Sequence, residues 1–221
     1  MINFIKRLLD WLYKKKCYCC GSSVENIFLC SSCSENIDFL KEEPISTIED
    51  HLFFSSTFYS KNIKKLIRGL KYHNQKELAF FLAKIMFEYW SKINKKSENY
   101  IIIPVPLHFN RIKTRKYNHM DLVAQEFSVL TGFKYKTDFL KRIKDTIPQY
   151  KLTKFEREEN LKDAFKIENK LPLDSNILLI DDISTTGSTF LEIIKELKRN
   201  GYKNITAFSI SIPEKNSFYT Y

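Results

Sequence analysis

Apolar residues fall into two kinds of run along this chain, and the difference between them lays out its elements. "LFFSSTFY" (52–59), "YIIIPVP" (100–106), "NILLIDD" (176–182) and "NITAFSISIP" (204–213) are short and rich in aliphatic or aromatic residues, which predicts strands. "KNIKKLIRGLKY" (61–72), "KELAFFLAKIMFEYWSKI" (76–93), "NHMDLVAQEFSVLTG" (118–132) and "STFLEIIKELKRNG" (188–201) are longer and predict helices. The last two end in Gly132 and Gly201, the residue type that closes a helix in the left-handed conformation. Short strands are expected within 133–142, and the polar, weakly periodic residues 143–160 suit a mobile loop. The strands "YIIIPV" and "ILLI" do not alternate apolar with polar. They are apolar on both faces and alternate with helices, so the expected fold class is α/β, a mainly parallel sheet with helices on each side.

The opening "MINFIKRLLDWLYKKK" places Ile5, Leu8, Leu9 and Leu12 at helical spacing, with Lys6, Arg7 and Lys14 to Lys16 around them. An amphipathic helix is expected, docked on its own protein or lying on a membrane surface. No apolar run reaches the ~18–20 residues a membrane span requires. The charges in the opening stretch do not suit an export signal, so the expected compartment is the cytoplasm, with a peripheral place at the inner membrane compatible with the basic helix. Structural disulfides are rare in that compartment.

Composition narrows this only slightly. The 221 residues suffice for one ordinary domain and a small appendage. A hydrophobic content of 43% and a charged content of 28% belong to a globular chain rather than a disordered one. The formal net charge of +10 suits a polyanionic partner, and serves equally well for solubility.

All five cysteines lie in "CYCCGSSVENIFLCSSC", residues 17–33. Cys17 and Cys20 form one C-x-x-C knuckle, and Cys30 and Cys33 a second. Two such knuckles give the four-thiolate tetrahedron that Zn²⁺ prefers, and Cys19 is the spare. A redox pair or an iron–sulfur cluster explains the doubled spacing less well. "KEEPIST" (41–47) reads as a linker broken by Pro44, dividing the chain into an N-terminal helix and four-cysteine module (1–43) and a main domain (44–221).

The densest candidate chemistry is "ILLIDDISTTGST", residues 177–189. A buried strand ends in Asp181 and Asp182, and Ser184, Thr185, Thr186, Gly187, Ser188 and Thr189 lead into a helix. Ligands of open α/β sheets bind at the carboxyl ends of strands. Carboxylates there accept hydrogen bonds from sugar hydroxyls, and a hydroxyl- and glycine-rich turn into a helix N-terminus cradles a phosphate. A ribose 5-phosphate has this layout. An acid pair can also hold Mg²⁺, and a plain turn with an N-cap explains the hydroxyls but not two tandem carboxylates. Neither a G-x-x-x-x-G-K-[ST] loop nor a G-x-G-x-x-G fingerprint is present.

The same stretch resembles the thirteen-residue phosphoribosyl-pyrophosphate motif of type I phosphoribosyltransferases. "IIIPVPLHFNRIKTRKYNHM" and "TIPQYKLTKFEREENLKDAF" resemble, in the same order, segments of the ComF family of competence-associated phosphoribosyltransferase-like proteins, which also carries an N-terminal four-cysteine zinc module. The resemblance spans almost the whole chain. It implies a type I phosphoribosyltransferase-like sheet, binding of phosphoribosyl pyrophosphate with Mg²⁺ and structural Zn²⁺. It assigns Asp181 and Asp182 the catalytic place and the loop 184–189 the phosphate. Arg111, Lys113, Arg115 and Lys116 would neutralise pyrophosphate, and Thr146, Gln149 and Arg157 would make contacts from the loop. Two positions depart from the family pattern: Lys116 stands where it has glycine, and His119 where it has glutamine.

Membership in such a family implies a role in natural transformation. Single-stranded DNA is then an expected partner, with Tyr72 and Tyr117 beside basic residues, and competence proteins at the inner membrane are further candidate partners. The other reading is an active phosphoribosyltransferase of nucleotide or cofactor salvage with no DNA role. No general base and no base-specifying segment stand out, so turnover and the acceptor stay open.

Overall fold

The structure is a computed structural model and describes residues 15–24, 29–93, 99–146 and 154–214. Its elements in chain order are β1 (Lys15–Lys16), β2 (Ser23–Val24), α1 (Ser31–Glu35), β3 (Ser46–Ile48), β4 (His51–Phe58), α2 (Lys61–Tyr72), α3 (Leu78–Trp90), β5 (Tyr100–Pro104), α4 (Phe109–Arg115), α5 (His119–Thr131), β6 (Lys134–Tyr135), β7 (Leu140–Arg142), α6 (Lys154–Leu161), β8 (Phe165–Ile167), β9 (Asn176–Ile183), α7 (Ser188–Arg199) and β10 (Ile205–Ile212). The amphipathic helix expected over Ile5 to Leu12 lies outside the described residues.

The central sheet has the order β3-β4-β10-β9-β5-β6. All its pairings are parallel except that of β3 with β4 at one edge. The four apolar runs read as strands form its middle, where both faces are covered. Every residue of β10 is buried. Several hydroxyls that interrupt these runs pair inside the sheet: Ser209 Oγ donates to Ser55 Oγ at 2.9 Å, and Thr57 Oγ1 donates to the Ile210 carbonyl at 3.0 Å, whereas the buried Ser56 Oγ has no partner among the described residues. A buried hydroxyl without such a partner would cost about 1–3 kcal/mol.

Two apolar layers enclose the sheet. On one face Phe54, Ile102, Leu178, Ile180, Phe208 and Ile210 pack against α2, α3 and α5. On the other, Phe53, Ile103, Ile177, Leu179 and Ala207 pack against α7 and the β7–β8 hairpin. Gly132 ends α5 at φ 76°, the expected left-handed C-cap.

Three segments differ from expectation. The loop expected over 143–160 contains α6, whose "KFEREENL" holds no glycine or proline and is anchored by the fully buried Leu161. The expected linker is partly strand, because β3 lines the edge of β4, and Leu40 N–H already donates to the Ser56 carbonyl at 2.9 Å. The segment after "PVP" forms α4, with the His108 ring as its N-cap acceptor.

The cysteine-bearing segment is not a free bead. Cys17, Cys19, Leu29, Cys33 and Ile37 share one apolar cluster with α2 and α3. Tyr18 crosses α2 at Gly69, where an added Cβ would lie 2.6 Å from the Tyr18 hydroxyl and 2.5 Å from Leu78 Cδ1. Glycine in mid-helix is explained here by close approach rather than by backbone freedom.

Candidate functional site

Chain connections leave β5 and β9 in opposite directions: β5 runs through α4 and α5 to the edge strand β6, and β9 runs through α7 to β10. Their carboxyl ends therefore open a crevice of the kind where α/β proteins bind ligands. The acid pair stands at its rim. Side chains alternate along a strand. Ile177 and Leu179 face α7 and the hairpin, while Leu178 and Ile180 face α2, α3 and α5. The same alternation sends Asp181 toward α7 and the hairpin and Asp182 toward α2, α3 and α5. The two adjacent carboxylates thus meet different surroundings.

Asp182 is buried against Lys71, in the last turn of α2, and His119, at the start of α5. Burial alone would raise its pKa, but the Lys71 ammonium and the His119 hydrogen bond outweigh that and hold it below the ordinary carboxylate range. Burial lowers the pKa of His119, the Asp182 charge opposing it. Among the described residues its Nδ1 has no hydrogen-bond partner. A bare lone pair costs less than a bare charged N–H, so the neutral ring with its proton on Nε2, donated to Asp182, suits this place. His119, a departure from the resembled motif, thus supplies the acid with a hydrogen-bond donor.

Asp181 is half-buried and accepts the Asp182 backbone N–H at 2.9 Å. It forms no ion pair among the described residues. Burial, then the neighbouring Asp182 charge, push its pKa up to about 7. It is the carboxylate left available to a sugar hydroxyl or a hard cation.

Beyond Ile183 the chain turns with the Ser184 N–H on the Ser211 carbonyl at 3.0 Å. Gly187 follows as N-cap of α7 at φ 72°, and an added Cβ there would lie 3.3 Å from Ile48 Cδ1, so conformation and space both select glycine. Thr186 Oγ1 and Ser188 Oγ share a hydrogen bond of 2.6 Å, and Ser188 is buried. Gly187 offers the helix no side-chain cap, which leaves the positive end of a 12-residue helix beside the hydroxyls of Ser184, Thr185 and Thr189.

The opposite wall carries the cations. α4 presents Arg111, Lys113 and Arg115 and ends at Lys116, which adopts φ 68°. Where the family has glycine, lysine accepts a left-handed conformation that costs roughly 1–2 kcal/mol. Arg111 Nη2 donates to the Thr146 carbonyl at 2.9 Å. Arg115 leans the other way, its Cζ 4.8 Å from the centre of the Tyr72 ring and its Nη2 3.3 Å from that hydroxyl. Gln149 lies outside the described residues, and Arg157 is placed on α6 by its backbone alone. Two residues of the site escaped sequence reasoning. Lys71 sits in a helix whose charge reads as solvated surface. Arg142 is buried in β7, and the period-two pattern that buries Leu140 would have marked it.

The Sγ atoms of Cys17, Cys20, Cys30 and Cys33 all lie within 4.8 Å of one another, with no disulfide among them. Backbone N–H groups aim at the sulfurs, Cys30 N–H at Cys17 Sγ and Cys33 N–H at Cys30 Sγ, both 3.4 Å. This donor set suits a thiolate-preferring tetrahedral ion. Cys19 points away, toward the Asn62 carbonyl at 3.8 Å.

The fold and site define an α/β protein with a mainly parallel sheet, an acid pair and hydroxyl loop at the carboxyl end of a central strand, and four clustered cysteines near its N-terminus. Competence protein F of Haemophilus influenzae is 28% identical over 212 residues, 88% of this chain and 89% of that protein. DNA utilization protein YhgH of Escherichia coli O6:H1 is 30% identical over 156 residues, 69% of this chain and 68% of that one. Among solved structures, purine phosphoribosyltransferase from Pyrococcus horikoshii is 22% identical, covering 65% of this chain and 86% of its own, at a TM-score of 0.35. No protein-family model matches. The chain belongs to the family of competence protein F, ComFC and YhgH.

The contrast between the two carboxylates predicts opposite pH responses. Asp181, with a raised pKa, contributes stability below its unfolded value and loses it as pH rises through about 7. Asp181→Asn should therefore raise the thermal midpoint of the ligand-free protein at pH 8, with the gain shrinking toward pH 4. Melting curves across that range check it, and an equal gain at every pH would contradict the assigned burial.

Proposed function

We propose that this protein binds phosphoribosyl pyrophosphate, or a related ribose phosphate, at the β9–α7 turn and handles single-stranded DNA during natural transformation. The observation that carries the first half is Asp181, an ionisable carboxylate without an ion-pair partner among the described residues, one turn of chain from the glycine-capped start of α7. Asp181 and Asp182 would accept the ribose hydroxyls, the latter keeping Lys71 and His119 as its supports. The loop 184–189 would take the 5-phosphate through its N–H groups and hydroxyls. Arg115 and Lys116, with Gln149 and Arg157 from the following segment, would face the pyrophosphate. Mg²⁺ would supply neutralisation of the diphosphate charge when bound, with Asp181 as the nearest hard oxygen donor on this chain. Whatever transfer occurs would draw on positioning and electrostatics rather than on a general base.

The second half rests on a surface. Tyr72 and Phe109 are each 59% exposed, and each lies near cations: Arg68 and Arg115 at Tyr72, Lys113 at 4.5 Å from Phe109. Lys76 stands 5.1 Å from the Tyr117 ring. Exposed rings among cations are what single strands require for stacking and backbone neutralisation. The names of the relatives, competence protein and DNA utilization protein, point the same way. An active salvage phosphoribosyltransferase would have no need of this surface.

The four cysteines would hold one Zn²⁺, organising a module over residues 1–43 that docks on the main domain of 44–221.

Phosphoribosyl pyrophosphate with Mg²⁺ should raise the melting temperature, by an amount equivalent to about 2.7 kcal/mol at one hundred times Kd. Asp181→Asn should remove most of that rise. Asp182→Asn is the poorer probe, because it strands Lys71 and His119 in the core. An undiminished shift in Asp181→Asn overturns the ligand reading.

Metal analysis should return one zinc per chain, lost in Cys17→Ser. Structural zinc contributes roughly 10–16 kcal/mol of apparent binding free energy in small finger peptides. Because Cys17 and Cys33 share a core with α2, the variant should also lower the midpoint of the main domain. A metal-free preparation with an intact module would refute the assignment.

Single-stranded DNA binding should be independent of sequence and fall with salt at a log–log slope of about −0.7 per neutralised phosphate. Tyr72→Ala and Phe109→Ala should each weaken it by roughly 1–3 kcal/mol, the usual worth of a stacked base. The ligand-induced melting shift should be unaffected in Phe109→Ala, whereas Tyr72→Ala also removes the ring and hydroxyl that hold Arg115. Unchanged DNA affinity in both variants would move the binding surface elsewhere.

A further inference from the structure

The helix α2, "KNIKKLIRGLKY", carries more positive charge than its place in the fold requires. Its aliphatic residues Ile63, Leu66, Ile67 and Leu70 recur at helical spacing and are all buried, so its cations fall on the opposite face. Lys61, Lys64, Lys65 and Arg68 are exposed there, with the exposed Tyr72 in line beyond them. The helix contains no acid. Among the described residues no carboxylate forms an ion pair with any of these side chains, and Lys71 alone of the helix reaches one, Asp182. Like charges three and four residues apart each oppose the helix by about 0.2–0.5 kcal/mol. Lys61 and Lys64 also stand in the first turn, where the positive helix end repels them. A face that only needed water would be served as well by mixed charges. A purely basic stripe suits a polyanion lying along it.

The course of α2 gives the stripe a direction. Its N-cap Ser60 follows the carboxyl end of β4, and Lys71 in its last turn meets Asp182 at the carboxyl end of β9. β10 lies between those two strands and is parallel to both. The helix therefore crosses the carboxyl edge of the sheet over about 17 Å, at 1.5 Å per residue. The cysteine segment borders it, for Lys65 Nζ donates to the Cys19 carbonyl and Asn62 Nδ2 to the Cys33 carbonyl at 3.4 Å. At the far end Arg68 Cζ is 5.9 Å from the Tyr72 ring, which Arg115 of α4 approaches to 4.8 Å. A lipid surface would call for aliphatic residues to insert, and α2 has turned all of its own into the core. A single strand calls for cations in line and rings on which bases stack, and both are here.

We propose that the exposed face of α2 is a track for the sugar–phosphate backbone of a single-stranded nucleic acid. It is continuous with the rings of Tyr72 and Phe109, so a bound strand is led across the carboxyl edge of the sheet to the mouth of the crevice. This rests on the single-strand reading above and extends its footprint to Lys61 and Lys64, at the end of α2 remote from Tyr72.

Fluorescence anisotropy of the full chain with a labelled oligothymidylate, taken across a range of salt, tests it. Lys61→Glu with Lys64→Glu should weaken binding at low salt by about tenfold or more and flatten the log–log salt slope by about 1.4, the share of two phosphates. The same pair should not lower the melting temperature, because acids in the first turn suit the helix dipole. Should it not fold, Lys61→Gln with Lys64→Gln must show the same flattening. Lys134→Glu with Lys136→Glu, at the β6 edge of the sheet, makes the same change in net charge and should leave the slope nearly as it was. Equal losses in the two pairs would reduce the effect to net charge and overturn the track. Full affinity and slope in the α2 pair, with binding weakened in Phe109→Ala, would overturn it while leaving the single-strand reading in place. A wild type that binds no oligothymidylate at any salt would remove both. Wild-type binding to phosphatidylserine vesicles but not to oligothymidylate, lost in the α2 pair, would give the stripe to a membrane and overturn the nucleic-acid track.

Discussion

The carboxylate of Asp182 ties together the three elements that frame the crevice. It belongs to β9 at the centre of the sheet, Lys71 reaches it from the end of α2, and His119 from the start of α5. Removing one member of a buried charged cluster typically costs about 3–5 kcal/mol, because the others are left uncompensated. The cluster therefore fixes how the helical layer closes over the strand end. Asp181, one residue earlier, is held by the same strand but on the other face, where it meets the second layer and its arginines. One dipeptide thus places a paired carboxylate on one side of the sheet and a carboxylate without an ion-pair partner among the described residues on the other.

How much of this the sequence disclosed depends on where the physics is local. The strands and long helices were legible because a run apolar on both faces, or periodic at 3.6, reports burial directly. "ILLIDD" read as a buried strand ending in a site because a plain turn and N-cap explain the following hydroxyls but not two tandem acids after four aliphatic residues. The cysteine spacing was legible for the same reason, since a knuckle is defined within four residues. Lys71 and Arg142 were not. Each is an ordinary cation in its own segment and acquires meaning only from a partner distant in sequence, Asp182 for one and Thr146 with Arg111 for the other. The helix α6 was missed because its charged composition resembles that of a solvated loop, and its anchor is Leu161, buried at its end. The His119 departure was visible as a substitution, but its hydrogen bond to Asp182 was not.

The two departures from the family pattern illustrate different kinds of tolerance. At position 116 the backbone holds its left-handed turn and the chain accepts local strain in exchange for an exposed cation beside the crevice. At position 119 the side chain changes identity and supplies a donor to the acid.

The sheet order has a consequence for the order in which the protein can come together. β10 follows β4 and β9 in the chain yet lies between them, so the middle of the sheet is completed only after both have been made. Until then β4 and β9 each present an unpaired parallel edge flanked by apolar faces, the kind of surface that invites intermolecular pairing. Ser55 and Thr57, whose partners come from β10, have nothing to bond within the growing chain. The nascent protein is thus committed to a late, long-range closure, slow by its contact order, in which ligand crevice and core are finished in the same step.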